Sequence, residues 1–303
     1  MTMTKKILVI DDERKQAEAL AIKINNAFGD AEMIVASSEE EIESAIVNKF
    51  FNLAILDIRL DGYHKNGIDL AKEIIEINPF AKIIFVSRFL SEYSIMLNPL
   101  MGSGRILAFS DKKEYDQWML ELKPIIAQYY DGLPNDNEVN TALTTAYATA
   151  KNEVDTYKKG LMFENFVTIL FRSIGYNTIN KRVKDKSLNE VDLIVRNEID
   201  DAFLSKFGKY ILVECKNKPQ TPVSKNDFIV FKNKVDATNG LACLGFLFTT
   251  SYISRNTYIE AVRESKGDSK IIFVDNVLMQ QLLSSNDIRE ELKKIIDMQV
   301  KDN

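Results

Sequence analysis

Short apolar runs that close on a charged or hydroxyl residue, set between stretches of helical periodicity, narrow most sharply how the first 130 residues can fold. Lys6-Ile-Leu-Val-Ile10 leads into Asp11-Asp12, and Asn52-Leu-Ala-Ile-Leu-Asp57 ends in a single acid. Lys82-Ile-Ile-Phe-Val-Ser87 ends in a hydroxyl, and Arg105-Ile-Leu-Ala-Phe109 stops just before Lys112. Continuous apolar runs of this length suit strands buried on both faces of a parallel sheet. Between them Ala17, Leu20, Ala21, Ile24 and Phe28 mark one helical stripe, and Leu70, Ile74 and Ile77 another. Strands alternating with helices predict a doubly wound α/β sheet whose ligand site lies at the carboxyl ends of the strands. Asp11, Asp12, Asp57, Ser87 and Lys112 all fall on that rim. Acids before a helix also serve as caps, which would account for Asp11 and Asp12 but not for Asp57, Ser87 and Lys112 at three other strand ends.

Over about Lys5 to Tyr130 these residues resemble the receiver domain of bacterial two-component response regulators, whose fold is flavodoxin-like. The resemblance implies that Asp57 accepts a phosphoryl group and that Asp11, Asp12, Asp57 and the backbone carbonyl of Arg59 hold Mg2+. It further implies that Lys112 and the Ser87 hydroxyl contact the phosphoryl oxygens, and that Phe109 is the switch aromatic. Phosphoryl transfer asks little of a protein beyond in-line positioning and cation stabilisation of the oxygens. The partner implied is a histidine kinase or another receiver-binding protein. The chain departs from the receiver pattern at Lys113, where a proline is usual, and in a long charged loop between Asp57 and Gly67. Asn98-Pro99, Gly102 and Gly104 predict a short or distorted fourth helix.

The second half turns on Glu190 to Lys218, EVDLIVRNEIDDAFLSKFGKYILVECKNK. Asp192 opens one apolar strand and Glu214-Cys215-Lys216 closes the next. Alternation along a strand puts Glu214 and Lys216 on one face and Cys215 on the other. If the strands pair as a hairpin, with Asn197 to Lys209 as its loop, Asp192 approaches Glu214. Clustered carboxylates need a counter-charge, and a hard divalent cation with oxygen ligands suits them. A lysine beside that metal would orient or deprotonate an attacking water, the layout of metal-assisted phosphodiester hydrolysis. The plain alternative is a cross-strand ion pair between Glu214 and Lys216 on a solvated face. Against it stand the apolar run Ile211-Leu212-Val213 and Glu164, the only charge between Gly160 and Arg172 on a helix apolar nearly all round. Glu190, at the mouth of its strand, reads as an exposed neighbour.

From Gly160 to about Leu283 the chain resembles the PD-(D/E)XK nucleases, in particular the Mrr-like restriction endonucleases. In order, the resemblance rests on Gly160-Leu-Met-Phe-Glu164, Gly175-Tyr176, Glu190-Val-Asp192, Glu214-Cys-Lys216 and Phe246-Leu-Phe-Thr-Thr250 followed by a helix. It implies an α/β restriction-endonuclease-like fold with a mixed sheet, metal ligation by Asp192 and Glu214, Lys216 as the catalytic lysine, and Glu164 as an acid added by the first helix. Many Mrr-like members carry Gln where this chain has Glu214. The cofactor implied is Mg2+ or Mn2+, and the substrate DNA.

The expected boundaries are a receiver at 1–130, a helical linker at 131–158 and a nuclease at 159–303. The run Gly132 to Asn137 marks the join. After it, Val139, Leu143, Ala146, Ala150, Val154 and Tyr157 are spaced to pack on a domain or to form a dimer seam, so a homodimer is one expected assembly. The end, Ile288 to Val300, reads as an amphipathic helix over the nuclease core. Residues 1–130 hold 15 basic and 20 acidic side chains, and residues 131–303 hold 24 of each, so the overall charge of −5 lies in the first half. Lys181, Arg182, Lys184, Lys186, Lys218, Lys225, Lys232 and Lys234 are candidate phosphate contacts, with a solvated lysine-rich surface as the alternative. No helix-turn-helix or zinc-ligand spacing offers base reading. Two cysteines, Cys215 and Cys243, read as reduced core thiols, and a single histidine, His64, leaves no multi-histidine zinc site. No membrane span or signal peptide is recognisable, so a cytoplasmic location is expected. The resulting reading is a receiver fused to a Mg2+-dependent DNA endonuclease, with phosphorylation at Asp57 or partner docking controlling cleavage. The alternatives are an active nuclease whose receiver only docks a partner, and a DNA-binding response regulator that no longer cuts.

Overall fold

The structure is a computed structural model of the 303-residue chain, and it describes residues 5–78, 81–88, 90–131, 136–184, 190–264, 267 and 269–301. The chain divides into two compact units, Met1–Pro134 and Asn135–Asn303. In the first, β1 (Lys6–Ile10), β2 (Glu32–Ala36), β3 (Leu53–Asp57), β4 (Lys82–Ser87) and β5 (Ile106–Asp111) form one parallel sheet in the order β2-β1-β3-β4-β5. The helices are α1 (Arg14–Phe28), α2 (Glu39–Asn48), α3 (Gly67–Ile77), α4 (Ser94–Met101) and α5 (Tyr115–Asp131). Every residue of β1 and β3 is buried, which is why their sequences are apolar throughout rather than alternating. One face of the sheet, with Ile7, Val9, Leu53, Ile55, Ile84 and Val86, packs against Ala17, Leu20, Ala21 and Ile24 of α1 and Trp118, Leu122 and Ile126 of α5. Helix α3 buries Leu70, Ile74 and Ile77, as its spacing predicts. The fourth helix is the short element expected. It follows a 3-10 turn at Leu90–Tyr93, holds Pro99 inside only eight residues, and leaves Ile95 83% exposed.

The second unit begins with α6 (Asp136–Asn152) and α7 (Thr156–Ile174), then β6 (Ile179–Lys184), β7 (Glu190–Arg196) and β8 (Tyr210–Lys216). It continues with α8 (Lys225–Asp236), β9 (Leu244–Thr249), α9 (Arg255–Arg263), β10 (Lys270–Val274), α10 (Asn276–Ser284) and α11 (Ile288–Lys301). The sheet order is β10-β9-β8-β7-β6, antiparallel from β6 to β8 and parallel from β8 to β10, so it is mixed as expected. Phe171 of α7 packs edge-on to Phe246 and Phe248 on one face. On the other face Leu212, Leu247 and Ile271 meet Phe228, Phe231 and Val235 of α8. Gly245 allows that approach, because a Cβ there would lie 2.7 Å from Ile271 and 2.9 Å from Val235.

Helix α6 packs inside this unit. Leu143, Ala146, Tyr147 and Ala150 are buried, and the Tyr147 ring lies 5.3 Å from Phe166 and 6.2 Å from Phe163 of α7. The apolar stripe does not run on as one helix. Asp155 caps α7 at its amino end, and Val154 and Tyr157 are 91% and 60% exposed. Its first three turns therefore serve intramolecular packing. Among the described residues no helix is long and apolar enough to cross a membrane. Both cysteines are free and half-buried, and burial pushes the Cys215 thiol well above its ordinary value.

Candidate active sites in the two units

In the first unit the strand ends gather the predicted residues. Asp11 and Asp57 are buried, and the Lys112 ammonium sits between them, 2.8 Å from Asp11 Oδ2 and hydrogen-bonded to Asp57 Oδ2. The backbone N–H of Arg59 donates to Asp57 Oδ1 at 3.2 Å, and that of Asp61 donates to Asp12 Oδ2 at 2.9 Å. Ser87 is buried at the end of β4, and its carbonyl accepts from the Lys112 N–H at 3.1 Å. Phe109 is half-buried and stacks on Phe85 with centroids 5.7 Å apart. Gly67 explains how α3 can start so close to Asp57. A Cβ at this position would lie 2.0 Å from the Asp57 carbonyl oxygen, a contact only glycine avoids.

Burial pushes the Asp11 and Asp57 carboxyls above their ordinary values, with Lys112 opposing the shift. Burial alone would lower Lys112, but the two carboxylates outweigh it and its pKa is raised. Ligand oxygens of Asp11, Asp12 and Asp57 lie within 4.8 Å of one another. Three carboxylates against one ammonium leave an oxygen-only, net negative donor set, which fits a hard divalent cation. The other such group among the described residues, Glu39, Glu43 and His64, is exposed at all three positions.

In the second unit β7 and β8 form the expected hairpin, with the last ladder pair at Leu193↔Val213. Continuing that register places Asp192 opposite Glu214. There the ladder gives way to side chains, and Asp192 Oδ2 accepts the Cys215 backbone N–H at 2.7 Å. Lys216 donates to Glu214 Oε1 at 2.7 Å, so residues 214 and 216 share a face as alternation requires. Burial first, then the Glu214 and Glu164 charges, raise the Asp192 pKa to about 7. Burial lowers Lys216, but the Glu214 and Asp192 carboxylates more than offset it and its pKa is raised.

Glu164 is buried on α7 with a partner the sequence did not disclose. Arg182 grips it with Nε at 2.8 Å and Nη2 at 3.0 Å from the two oxygens, the planar fork suited to a carboxylate. Arg182 has a left-handed φ of 49° and lies 5.5 Å from the Tyr157 ring. Among the described residues, Asp192, Glu214 and Glu164 do not bring three ligand atoms within 4.8 Å of one another. Asp192 and Glu214 stand at opposed positions of the two strands, and the Glu214 charge adds to burial in lifting Asp192.

The expected DNA surface is reduced. Lys181 and Lys232 are buried, so neither belongs to a solvated cation face. Lys181 donates to Asn165, and burial brings its pKa down to about 8, whereas Lys232 pairs with Asp236 at 2.7 Å. Arg182 is engaged by Glu164, and Lys234 reaches Glu214 at 3.0 Å. Lys218 is exposed, and Lys225, half-exposed, pairs with Glu260 at 2.9 Å. The side chain of Lys184 and all of Lys186 lie outside the described residues.

Residues 158–283 match the family model described as a restriction endonuclease of the Mrr catalytic type. Comparison with curated proteins gives no match. Similar solved structures align with the first unit. They include a CheY-like response regulator receiver domain protein from Methanospirillum hungatei, at 25% identity over 41% of this chain and 94% of that one, with a TM-score of 0.35. Another is response regulator protein TrrA from Thermotoga maritima, in complex with Mg2+ and BeF, at 28% identity over 40% and 98% with a TM-score of 0.32. The response regulator domain of Thermotoga maritima CheB aligns at 24% identity over 43% and 99%, with a TM-score of 0.35. The strand order β2-β1-β3-β4-β5 and the acids and lysine at the strand ends carry the receiver reading independently of these alignments. Residues 158–283 thus match the Mrr-type restriction endonuclease model, and the first unit has the five-stranded parallel sheet, with acids and a lysine at its strand ends, expected of a receiver.

Proposed function

We propose that the protein is a regulated DNA endonuclease, in which the C-terminal unit hydrolyses phosphodiester bonds and the N-terminal unit is phosphorylated on Asp57. The observation that carries the cleavage reading is the split end of the β7–β8 hairpin, where Asp192 faces Glu214 with the Lys216 ammonium 2.7 Å from Glu214 Oε1. Asp192 and Glu214 would hold Mg2+ or Mn2+, which supplies Lewis acidity toward the phosphate oxygens when bound. Lys216, its ammonium 2.7 Å from Glu214 Oε1, orients the attacking water and donates toward a phosphate oxygen as charge builds there. Water oxygen attacks phosphorus and gives its proton to solvent, one P–O ester bond breaks, and the departing oxygen is protonated from solvent. Glu164, tied to Arg182, braces this arrangement from α7.

In the receiver, Asp57 is the nucleophile and Lys112 the cation ready to receive a phosphoryl oxygen. Asp11 and Asp12 would share the divalent ion with Asp57 and the Arg59 carbonyl. Phosphorylation replaces a carboxylate paired with Lys112 by a group of higher charge, which biases a two-state receiver by the difference in its contacts. The test is plasmid cleavage with Mg2+ or Mn2+, with EDTA, and with or without acetyl phosphate. Cleavage should need the metal, vanish in Asp192→Ala, Glu214→Ala and Lys216→Ala, and change by roughly 5- to 150-fold on phosphorylation. An Asp192→Ala protein that cuts as fast as the parent removes the site assignment. A rate indifferent to acetyl phosphate under conditions that label Asp57 removes the regulatory part alone.

A further inference from the structure

We propose that Lys234 is a positioning residue of the cleavage centre, the resident counter-cation of Glu214, and not a contact on the outer DNA surface. The proposal rests on the reading of Asp192 and Glu214 as metal ligands. Lys234 leaves α8 beside the buried Val235, and its side chain is only 17% exposed. Its ammonium donates to Glu214 Oε2 at 3.0 Å and to the Glu190 carbonyl at 2.7 Å. Lys216 occupies the other Glu214 oxygen at 2.7 Å. The carboxylate, itself 7% exposed, is therefore held by two cations arriving from two elements.

The position matters because of what the backbone does there. Antiparallel pairing of β7 and β8 ends at Leu193↔Val213, and the residues beyond it are those that carry Asp192 and Glu214. With the ladder finished, two side-chain links bridge the strands: Asp192 to the Cys215 N–H, and Lys234 from the Glu190 carbonyl to Glu214. Lys234 thereby sets the spacing of the two ligand-bearing strands at their open end. It also offers Glu214 Oε2 a positive charge that a divalent ion must displace or share. The other lysines of α8 that are described are spent elsewhere, Lys225 on Glu260 and Lys232 on Asp236.

Removing this ammonium should move metal affinity and turnover in opposite directions. Glu214 loses a competitor, so the ion binds more tightly; the strand mouth loses a brace, so the chemical step slows. A lysine with a merely structural role would weaken both or neither. Mn2+ binding is read by electron paramagnetic resonance on the full chain carrying Asp11→Asn and Asp12→Asn, so that the receiver no longer contributes a site. Lys234→Met should raise Mn2+ affinity about 3- to 10-fold and lower kcat of DNA cleavage about 10- to 100-fold, while KM for DNA stays unchanged. Lys234→Arg keeps the charge and should restore Mn2+ affinity to the parent value with partial recovery of kcat. Should Lys234→Met fold poorly, Lys234→Gln gives the same comparison. Unchanged or weakened Mn2+ affinity in the neutral variants overturns the proposal, as does a raised KM with unchanged kcat, the mark of a plain phosphate contact. A protein whose Mn2+ binding is indifferent to Asp192→Ala overturns the underlying ligand assignment instead, and is told apart by that variant.

Discussion

Replacing Asp192 by asparagine should stabilise the C-terminal unit at alkaline pH in the absence of metal, and by an amount that grows with pH. Asp192 has a folded-state pKa of about 7 against an ordinary 3.8, because burial and the Glu214 and Glu164 charges disfavour its ionised form. An acid whose pKa is raised on folding binds more protons folded than unfolded between the two values, so stability is lost as pH climbs from about 4 to about 7. The asparagine side chain cannot ionise, keeps an oxygen to accept the Cys215 N–H, and so escapes the loss. Between pH 5 and pH 8 about two of the three units remain to be titrated, and at about 1.4 kcal/mol per unit the gap should widen by about 3 kcal/mol. Urea unfolding in EDTA, followed by far-ultraviolet circular dichroism, measures it. Trp118, the only tryptophan, lies in the first unit, so its fluorescence reports that unit and separates the two transitions. Adding Mg2+ should stabilise the parent and leave Asp192→Asn unmoved. A parent-to-variant difference that is constant from pH 5 to pH 8 would refute the argument, since it would mean that Asp192 titrates alike in both states.

Acetyl phosphate with Mg2+ should add one phosphoryl group to the parent protein and none to Asp57→Asn, as read by intact-mass spectrometry with both proteins equally folded. Gly67→Ala should destabilise the first unit by more than about 2 kcal/mol, because the new Cβ would sit 2.0 Å from the Asp57 carbonyl oxygen and the backbone must move. The same variant should label slowly, and normal labelling with normal Trp118 unfolding would show that the contact is easily relieved.

Much of the fold could be read from the sequence where burial is complete. β1 and β3 are apolar because both faces are covered, and the acids that end them stand at the rim where the chain leaves the core. The hairpin was legible because Asp192 and Glu214 each border an apolar run, and strand alternation alone puts Glu214 and Lys216 together. What the sequence did not show was the partner of each charge. Lys181, Arg182, Lys232 and Lys234 look alike as a basic composition, yet one is buried against Asn165, one grips Glu164, one pairs with Asp236 and one reaches Glu214. Pairings across 18 or 20 positions depend on tertiary packing that charge counts do not encode. A local signal did exist for Lys234. Phe228, Phe231 and Val235 define the buried face of α8, and position 234 falls at its edge. The break between α6 and α7 was missed for a related reason: the three-and-four spacing carries through Val154 and Tyr157, while Asp155 caps a new helix in between.

The stretch that matches the endonuclease family starts at residue 158, yet the globule starts a helix earlier. Tyr147 shields Phe163 and Phe166, the two aromatic residues that flank Glu164 along α7, and Asn217 Nδ2 fastens the Ala150 and Lys159 carbonyls to the residue after Lys216. A fragment trimmed to the family borders would bare an aromatic patch and cost Asn217, the residue after Lys216, its bond to Ala150, so recombinant pieces should open before Asp136.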